Sequence, residues 1–289
     1  MLLAFSMTSC EKDGVYIPKK KIQRVFFSTN NTDKYLAEEW YWNKNLLGTI
    51  NHIDDSRIEY FSYEGKRLSR VDNYINSEYT TYEYDGKYLK SSSYYYKDNL
   101  EATAQYTYSG KKLSSESITL YSAKASGKKQ AKVLTHFFPK EVNEIINRHS
   151  KSLFAPNPGK GVLTYKVQYT WDGDNISTIR LSGDGETMTI SLQYDDKINP
   201  KKGFYELYSY ENVDNIDGGG SMFSKNNVTK AIFTYEGEND VYTFTYQYDK
   251  DNYPTMQITH YPSYTYYDWD CEDYIEVDVG QSTIYYEYQ

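Results

Sequence analysis

Large side chains alternate with polar ones in short runs along the chain, and many of these runs end in a turn signal. Successive side chains of a β-strand point to opposite faces, so this alternation is typical of strands with one buried and one exposed face. The recurring unit has two rings separated by one residue, then a turn residue, glycine and, three positions later, an aliphatic residue. Its clearest copies are 61–68, 82–89, 106–113 and 169–176.

The unit predicts a two-stranded hairpin with a tight turn. A type I′ turn at Glu64-Gly65 requires positive φ at both residues, and it would pair Phe61 with Leu68 across the two strands. The same register predicts the pairs Tyr82–Leu89, Tyr106–Leu113, Tyr169–Ile176 and, in a diverged earlier copy, Trp40–Leu47. Such cross-strand pairs would fix the register of each hairpin.

The opposite face of each predicted strand is polar, for example at Ser62, Thr81 and Gln105. The outer face of a transmembrane barrel is apolar, so this pattern indicates a soluble sheet. A long antiparallel meander has exposed edges unless it closes on itself. We therefore expect an all-β fold, an up-and-down meander of about 14–18 strands that is closed or nearly closed into a large soluble barrel.

Two segments interrupt the rhythm of the single predicted β domain, which spans residues 22–289. These insertions lie near 122–160 and 212–226. In the first, Pro139 precedes a stretch at 140–149 whose apolar residues recur at helical spacing. We predict one short inserted helix that lies across a sheet face or caps a barrel mouth. A moving lid over a cavity is the alternative interpretation.

Residues 1–10 have the features of the end of a lipoprotein signal peptide. An apolar run is followed by small residues and then by Cys10, the predicted site of lipid attachment. Lipid on Cys10 would hold the protein at a membrane, with residues 11–21 as a polar tether. The alternative is a frayed N-terminus with a free thiol. The lipid interpretation predicts anchoring at the outer membrane, on its periplasmic face or, preferably, on the cell surface.

The array of repeats resembles the YD repeats of Rhs-type proteins. Together with residues 1–10, it resembles lipoproteins of unknown function from Bacteroidetes that have a porin-like fold, over residues 22–289. This resemblance implies a lipid-anchored cell-surface protein with a porin-like β-barrel. It brings no catalytic residues that could be assigned to positions of this chain.

Composition narrows the range of partners. The net charge is −8, whereas nucleic acids and anionic lipid surfaces require a basic protein face. We therefore expect no nucleic-acid partner and interpret the charge as that of an acidic, soluble surface. The 35 tyrosines fit half-buried strands, because the tyrosine ring is apolar and its hydroxyl group is polar.

Tryptophan supplies the predicted ligand-binding residues, because an exposed indole ring can stack on a sugar ring. The candidates are Trp40, Trp42, Trp171 and Trp269. Rings at alternate positions of a strand also fit a hydrophobic core, which is the alternative interpretation.

A weaker prediction concerns a metal site near the C-terminus. Hard cations bind several carboxylate oxygens. The acidic residues that could supply them are Asp268, Asp270, Glu272 and Asp273. A solvated acidic loop is the alternative, because their spacing is not that of a calcium-binding loop.

The sequence contains no recognisable catalytic or phosphate-binding motif, so we expect no catalysis and no cofactor. Our first hypothesis is a lipid-anchored surface protein that binds a glycan or a peptide. The second is a structural scaffold that packs against another protein of the cell envelope. The third is a hydrolase that uses a pair of carboxylates, which the 40 acidic residues leave open.

Overall fold

Each alternating run forms a β-strand, and the polar turn residues separate the strands. The residues that the computed structural model describes are 12–30, 32–53, 56–74, 77–121, 162–183, 186–204, 223–262, 264–268, 273–277 and 280–289. The strands among them are β1 Ile22–Thr29, β2 Tyr35–Asn43, β3 Leu46–His52, β4 Arg57–Glu64, β5 Arg67–Asn73, β6 Glu78–Asp85, β7 Tyr88–Tyr96, β8 Asn99–Ser109, β9 Lys112–Leu120, β10 Leu163–Asp172, β11 Asn175–Gly183, β12 Glu186–Tyr194, β13 Val228–Tyr235, β14 Glu238–Tyr248, β15 Pro254–His260, β16 Tyr264–Asp268, β17 Asp273–Val277 and β18 Gln281–Tyr288. The whole insertion near 122–160, with the helix predicted at 140–149, lies outside the described residues.

Sixteen of these strands form one closed antiparallel barrel. Strands β1 to β15 pair in chain order, β15 pairs with β18, and β18 pairs with β1. Strands β16 and β17 form a separate two-stranded sheet within the connection between β15 and β18. The predicted all-β meander, its closure and its approximate strand number are thus confirmed. Closure removes the exposed edges that an open sheet of this length would have.

The glycine turns of the four clearest repeats lie at one end of the barrel, because each joins an even-numbered strand to the next odd-numbered strand and alternate strands run in opposite directions. We call this the Asp-Gly end, and it contains the turns at Gly65, Gly86, Gly110 and Gly173. The connection between β12 and β13 lies at the same end. The connection between β9 and β10 and the sheet of β16 and β17 lie at the opposite end.

The hairpin register differs from the predicted one. Tyr63, not Phe61, pairs with Leu68, and the loop consists of Gly65 and Lys66. Positive φ is confined to Gly65 (65°) within this loop, whereas a type I′ turn needs it at both loop residues. The equivalent corrected pairs are Tyr84–Leu89, Tyr108–Leu113, Trp171–Ile176 and Trp42–Leu47.

The loop lies one residue later than predicted, and a β-bulge next to each turn then shifts the pairs beyond it by one further residue. In the hairpin of β4 and β5, Tyr63 faces Leu68 but Ser62 faces Arg70, so Ser69 is an extra residue on its strand. The Ser69 hydroxyl group donates a hydrogen bond to the Ser62 carbonyl oxygen, 3.1 Å away. Ser114 makes the equivalent bond to Thr107, at 2.9 Å. The small polar residue after the aliphatic position of the repeat thus satisfies a backbone group beside the bulge.

The ring before each turn bonds to the preceding hairpin. The Tyr84 hydroxyl group donates to the Leu68 carbonyl oxygen at 2.8 Å, and Leu68 is the aliphatic residue of the previous repeat. The same bond recurs around the barrel from Tyr63 to Leu47, Trp171 to Leu113, Tyr194 to Ile176 and Tyr246 to Val228. These bonds explain why a ring with a polar group recurs at this position of the repeat, since each bond joins neighbouring repeats and satisfies a carbonyl oxygen.

The barrel wall has its apolar face inward. In β10, Leu163, Tyr165 and Val167 are buried, whereas the intervening Thr164 and Lys166 are exposed. The buried rings and aliphatic side chains of the other strands join them in one core. The outer face is therefore polar, the reverse of a barrel whose outer surface lies in lipid. In the part of the chain that the structure describes, no helix could span a membrane.

Candidate functional site

The N-terminal segment crosses the Asp-Gly end of the barrel. The Asp13 amide donates to the Lys87 carbonyl oxygen, and the Gly14 carbonyl oxygen accepts from the Leu68 amide, both at 2.8 Å. Asp13 Oδ2 also accepts from the Leu89 amide at 2.8 Å and from the Tyr108 hydroxyl group at 2.6 Å. We call residues 12–20 the strap. This part of the predicted tether is thus bonded to the barrel.

The connection between β12 and β13 covers another part of the same end. The Phe204 ring packs on Trp40 and Tyr16, with centroid distances of 4.9 and 5.3 Å. The Tyr16 hydroxyl group donates to the Pro200 carbonyl oxygen at 2.8 Å, which ties the strap to this connection. Residues from distant parts of the sequence therefore close the barrel over its aromatic core.

A pocket of about 760 Å³ lies between the strap, the connection and the nearby hairpin turns. We call it the mouth pocket. Its lining includes Lys12, Tyr88, Tyr108, Lys112, Trp171 and Lys202. Small-molecule sites typically have volumes of about 300–1,000 Å³ and combine apolar walls with a few polar groups. The mouth pocket has both properties.

Hydrogen bonds fix the rings of the mouth pocket. The Trp171 Nε1 group donates to the Leu113 carbonyl oxygen at 2.6 Å. The Tyr88 hydroxyl group donates to the Gly110 carbonyl oxygen at 3.2 Å, and the Tyr88 and Tyr108 ring centroids are 4.6 Å apart. Burial, followed by the bond to Asp13, raises the pKa of Tyr108 far above its usual range. Tyr108 therefore remains a hydrogen-bond donor at neutral pH.

The four predicted tryptophans have different surroundings. Trp171 lines the mouth pocket. Trp40 is only 3% exposed and donates from Nε1 to Glu38 Oε2 at 2.8 Å, so its ring belongs to the core. Trp42 is half-buried and donates to the Ile22 carbonyl oxygen at 2.7 Å. Trp269 lies outside the described residues, as does Cys10.

The predicted acidic cluster is described only in part. Asp268 ends β16 and pairs in register with Asp273, the first residue of β17. Asp270 and Glu272 lie outside the described residues. Within the described ranges, no group of three or more histidine, cysteine, aspartate or glutamate residues could hold a metal ion.

Sequence reasoning missed a set of buried carboxylates on the inner face of the barrel. The buried glutamates are Glu38, Glu59, Glu78, Glu101 and Glu116. Glu116 occupies the position, three residues after the aliphatic residue of the repeat, where other copies have Val71 and Ile179. An acidic residue at a position that is aliphatic in other copies of the repeat was the sequence feature that could have revealed the buried Glu116.

Glu116 is 1% exposed and accepts a hydrogen bond from the Tyr169 hydroxyl group at 2.7 Å. Burial raises the pKa of Glu116 to about 8, although Tyr169 and Tyr106 bond to its carboxylate. A raised carboxyl pKa often marks a catalytic acid. This carboxyl group is enclosed by the core, however, and the mouth pocket does not include it among its lining residues.

A second buried group joins the neighbouring strands β3 and β4 near the opposite end of the barrel. His52 Nδ1 is 3.1 Å from Arg57 Nη2, and its Nε2 is 3.6 Å from Glu59 Oε2. Arg57 also forms a buried ion pair with Glu59. Burial and the Arg57 charge oppose protonation of His52, but the nearby carboxylates outweigh them and raise its pKa above the usual value. The cluster pairs charges within the barrel wall.

No protein-family model matches this chain, and no curated protein matches it. Among solved structures, it is similar to a porin-like protein from Bacteroides uniformis, with 10% identity, a TM-score of 0.47 and coverage of 93% of this chain and 98% of that one. A porin-like protein from Bacteroides vulgatus gives the same identity and coverage and a TM-score of 0.48. At these values the similarity carries no information about function.

Proposed function

We propose that the protein is a non-catalytic binding protein whose mouth pocket holds part of a glycan. The observation that carries this proposal is the combination of fixed rings and polar groups in one pocket of suitable size. Trp171 is the predicted stacking residue that lines this pocket. Sugar rings have apolar C–H faces that pack on aromatic rings, while their hydroxyl groups need polar partners.

The rigidity of the pocket supports binding. Trp171 and Tyr88 are each held by a hydrogen bond to a backbone carbonyl oxygen in the hairpin of β8 and β9. Rings that are ordered before the ligand arrives lose little conformational freedom on binding. The bond of Trp171 is the one that recurs around the barrel, so a repeated structural bond also places a ring at the pocket wall.

Affinity electrophoresis of a protein that starts after Cys10 tests the proposal, with a panel of host and dietary polysaccharides in the gel. We expect retardation by at least one glycan and loss of most of this retardation in Trp171→Ala. Tyr63→Ala is the matched control. Tyr63 occupies the equivalent hairpin position and makes the equivalent bond to Leu47, but it does not line the mouth pocket.

Two results would reject the glycan proposal. The first is the absence of retardation by every polysaccharide. The second is retardation that Trp171→Ala and Tyr63→Ala reduce equally, which would reflect general loss of structure. A peptide array is the next experiment in either case, because the same pocket chemistry would fit an aromatic or acidic peptide.

We further propose that Cys10 carries lipid and anchors the protein at the outer membrane, with the cell surface as the favoured face. The support is the sequence of residues 1–10, an apolar run followed by small residues and Cys10. Replacement Cys10→Ser should move the protein from the membrane fraction to the soluble fraction. Retention of the variant in the membrane fraction would reject lipid anchoring.

A further inference from the structure

The mouth pocket is rich in lysine although the whole chain carries a net charge of −8. Its lysines come from four separate parts of the chain, namely the strap, two hairpins and the connection between β12 and β13. They are Lys12, Lys87, Lys111, Lys112 and Lys202. The two acidic residues of the lining are Asp13 and Asp174. The local charge therefore has the opposite sign to that of the whole protein.

The acidic residues of the lining are already engaged by other groups. Asp13 Oδ2 accepts from the Leu89 amide and the Tyr108 hydroxyl group. Asp174 lies 3.5 Å from the amine of Lys225, which is not a lining residue. Lysines 12, 87, 111 and 112 form no ion pair with the carboxylates of the described part of the chain. Their charges are therefore available to an anionic ligand.

Two of these amines lie beside the rings of the pocket. Lys87 Nζ is 5.1 Å from the centroid of the Tyr88 ring, and Lys112 Nζ is 5.4 Å from the centroid of Trp171. Lys112 also donates to the Gly173 carbonyl oxygen. A sugar that packs on either ring would place its substituents close to a positive charge.

We propose that the mouth pocket selects acidic glycans that contain uronic acid. This inference rests on the proposed function, and it adds the charge of the ligand. The aromatic rings would pack on the sugar faces, while the lysine amines pair with the carboxylates. The lysine amine is a point charge on a flexible side chain, whereas the arginine guanidinium group is planar and binds a carboxylate in a fixed geometry. The flexible lysine side chain suits a polymer whose carboxylates occupy several positions.

The test compares polygalacturonate with its fully methyl-esterified form, because the two polymers share a backbone and differ in charge. In affinity electrophoresis with the protein that starts after Cys10, we expect stronger retardation by polygalacturonate and loss of the difference at high salt. The double variant Lys87→Gln/Lys111→Gln should bind polygalacturonate about two- to thirtyfold more weakly, since each of the two exposed pairs contributes about 0.2–1 kcal/mol.

Lys66→Gln is the matched control for the lysine variants. Lys66 follows its turn glycine as Lys87 and Lys111 follow theirs, but it does not line the mouth pocket. It should leave the affinity for polygalacturonate unchanged. An equal loss in this control would mean that only the overall charge matters, and this result would overturn the inference.

The remaining outcomes separate the inference from the proposed function. Equal binding of both polymers, or binding of neutral glycans alone, with loss in Trp171→Ala would keep glycan binding and overturn the preference for acidic glycans. Binding of no glycan would overturn both. Vesicles with anionic phospholipids form the last arm of the test. Lysine-dependent binding to these vesicles without a preference for polygalacturonate would identify a lipid-facing surface and overturn the inference.

Discussion

The Tyr84 hydroxyl group lies 2.8 Å from the carbonyl oxygen of Leu68, so the ring of one hairpin repeat is bonded to the aliphatic residue of the repeat before it. An equivalent bond occurs at four other positions around the barrel. It uses both properties of tyrosine, because the ring packs on the core while the hydroxyl group satisfies the backbone. This dual role explains the choice of tyrosine at four of the 35 tyrosine positions.

Replacement Tyr84→Phe removes this hydrogen bond and keeps the ring. We expect a loss of about 1 kcal/mol in the free energy of unfolding, because a buried carbonyl oxygen loses its partner. The measurement is denaturant unfolding of the two proteins. Tyr74→Phe is the control, since Tyr74 is 77% exposed. Equal effects of the two replacements would contradict the structural role of the bond.

Replacement Gly14→Ala should release the strap. Gly14 has φ of 73°, and an added Cβ would lie 2.0 Å from Tyr84 Oη, an impossible contact. Gly86 has φ of 57° with open space around it, so Gly86→Ala should cost only about 1 kcal/mol of backbone strain.

Limited proteolysis with mapping of the cleavage sites distinguishes these two glycine variants. Gly14→Ala should be cleaved faster within residues 12–20, whereas Gly86→Ala should retain the cleavage pattern of the original protein. Unchanged protection of the strap in Gly14→Ala would contradict the close contact with Tyr84.

Glu116 makes stability depend on pH. Its pKa is about 8 in the folded protein, compared with an ordinary value of 4.5. Between these values the folded protein holds a proton that the unfolded chain releases. The free energy of unfolding therefore falls by about 1.4 kcal/mol per pH unit as the pH rises through this window, and this contribution is constant above it.

Glu116→Gln removes this titration and keeps a side chain of similar size. The stability of the variant relative to the original protein should therefore increase as the pH is raised from 5 to 8. Denaturant unfolding at several pH values measures this difference. Parallel stability curves would indicate that Glu116 is already ionised in the folded protein.

The alternation of residues predicts most of the barrel but not the details of its turns. The inward and outward positions of β10 can be read directly from the sequence, because side chains of a strand alternate strictly. The predicted register placed Phe61 opposite Leu68, because sequence spacing reveals neither that the loop is Gly65-Lys66 nor that Ser69 forms a bulge. A bulge inserts one residue into one strand and thereby shifts every pair beyond it.

Long-range contacts also limited the prediction of the site. Trp171 was predicted from its ring, but the bond between Asp13 and Tyr108 joins residues that are 95 positions apart. No local pattern marks such a contact. The lysines of the mouth pocket are likewise scattered between positions 12 and 202, so their common location appears only when the barrel closes.

The strap also has a mechanical consequence. Asp13 and Gly14 are bonded to residues of β5, β7 and β8, together with the turn at Lys87, so a pulling force on the N-terminus would be shared among several hairpins. Tyr108 is one of the residues bonded to the strap, and it also lines the mouth pocket. Tension in the chain before residue 12 would therefore deform the pocket as well as the strap, and the occupancy of the pocket would respond to load.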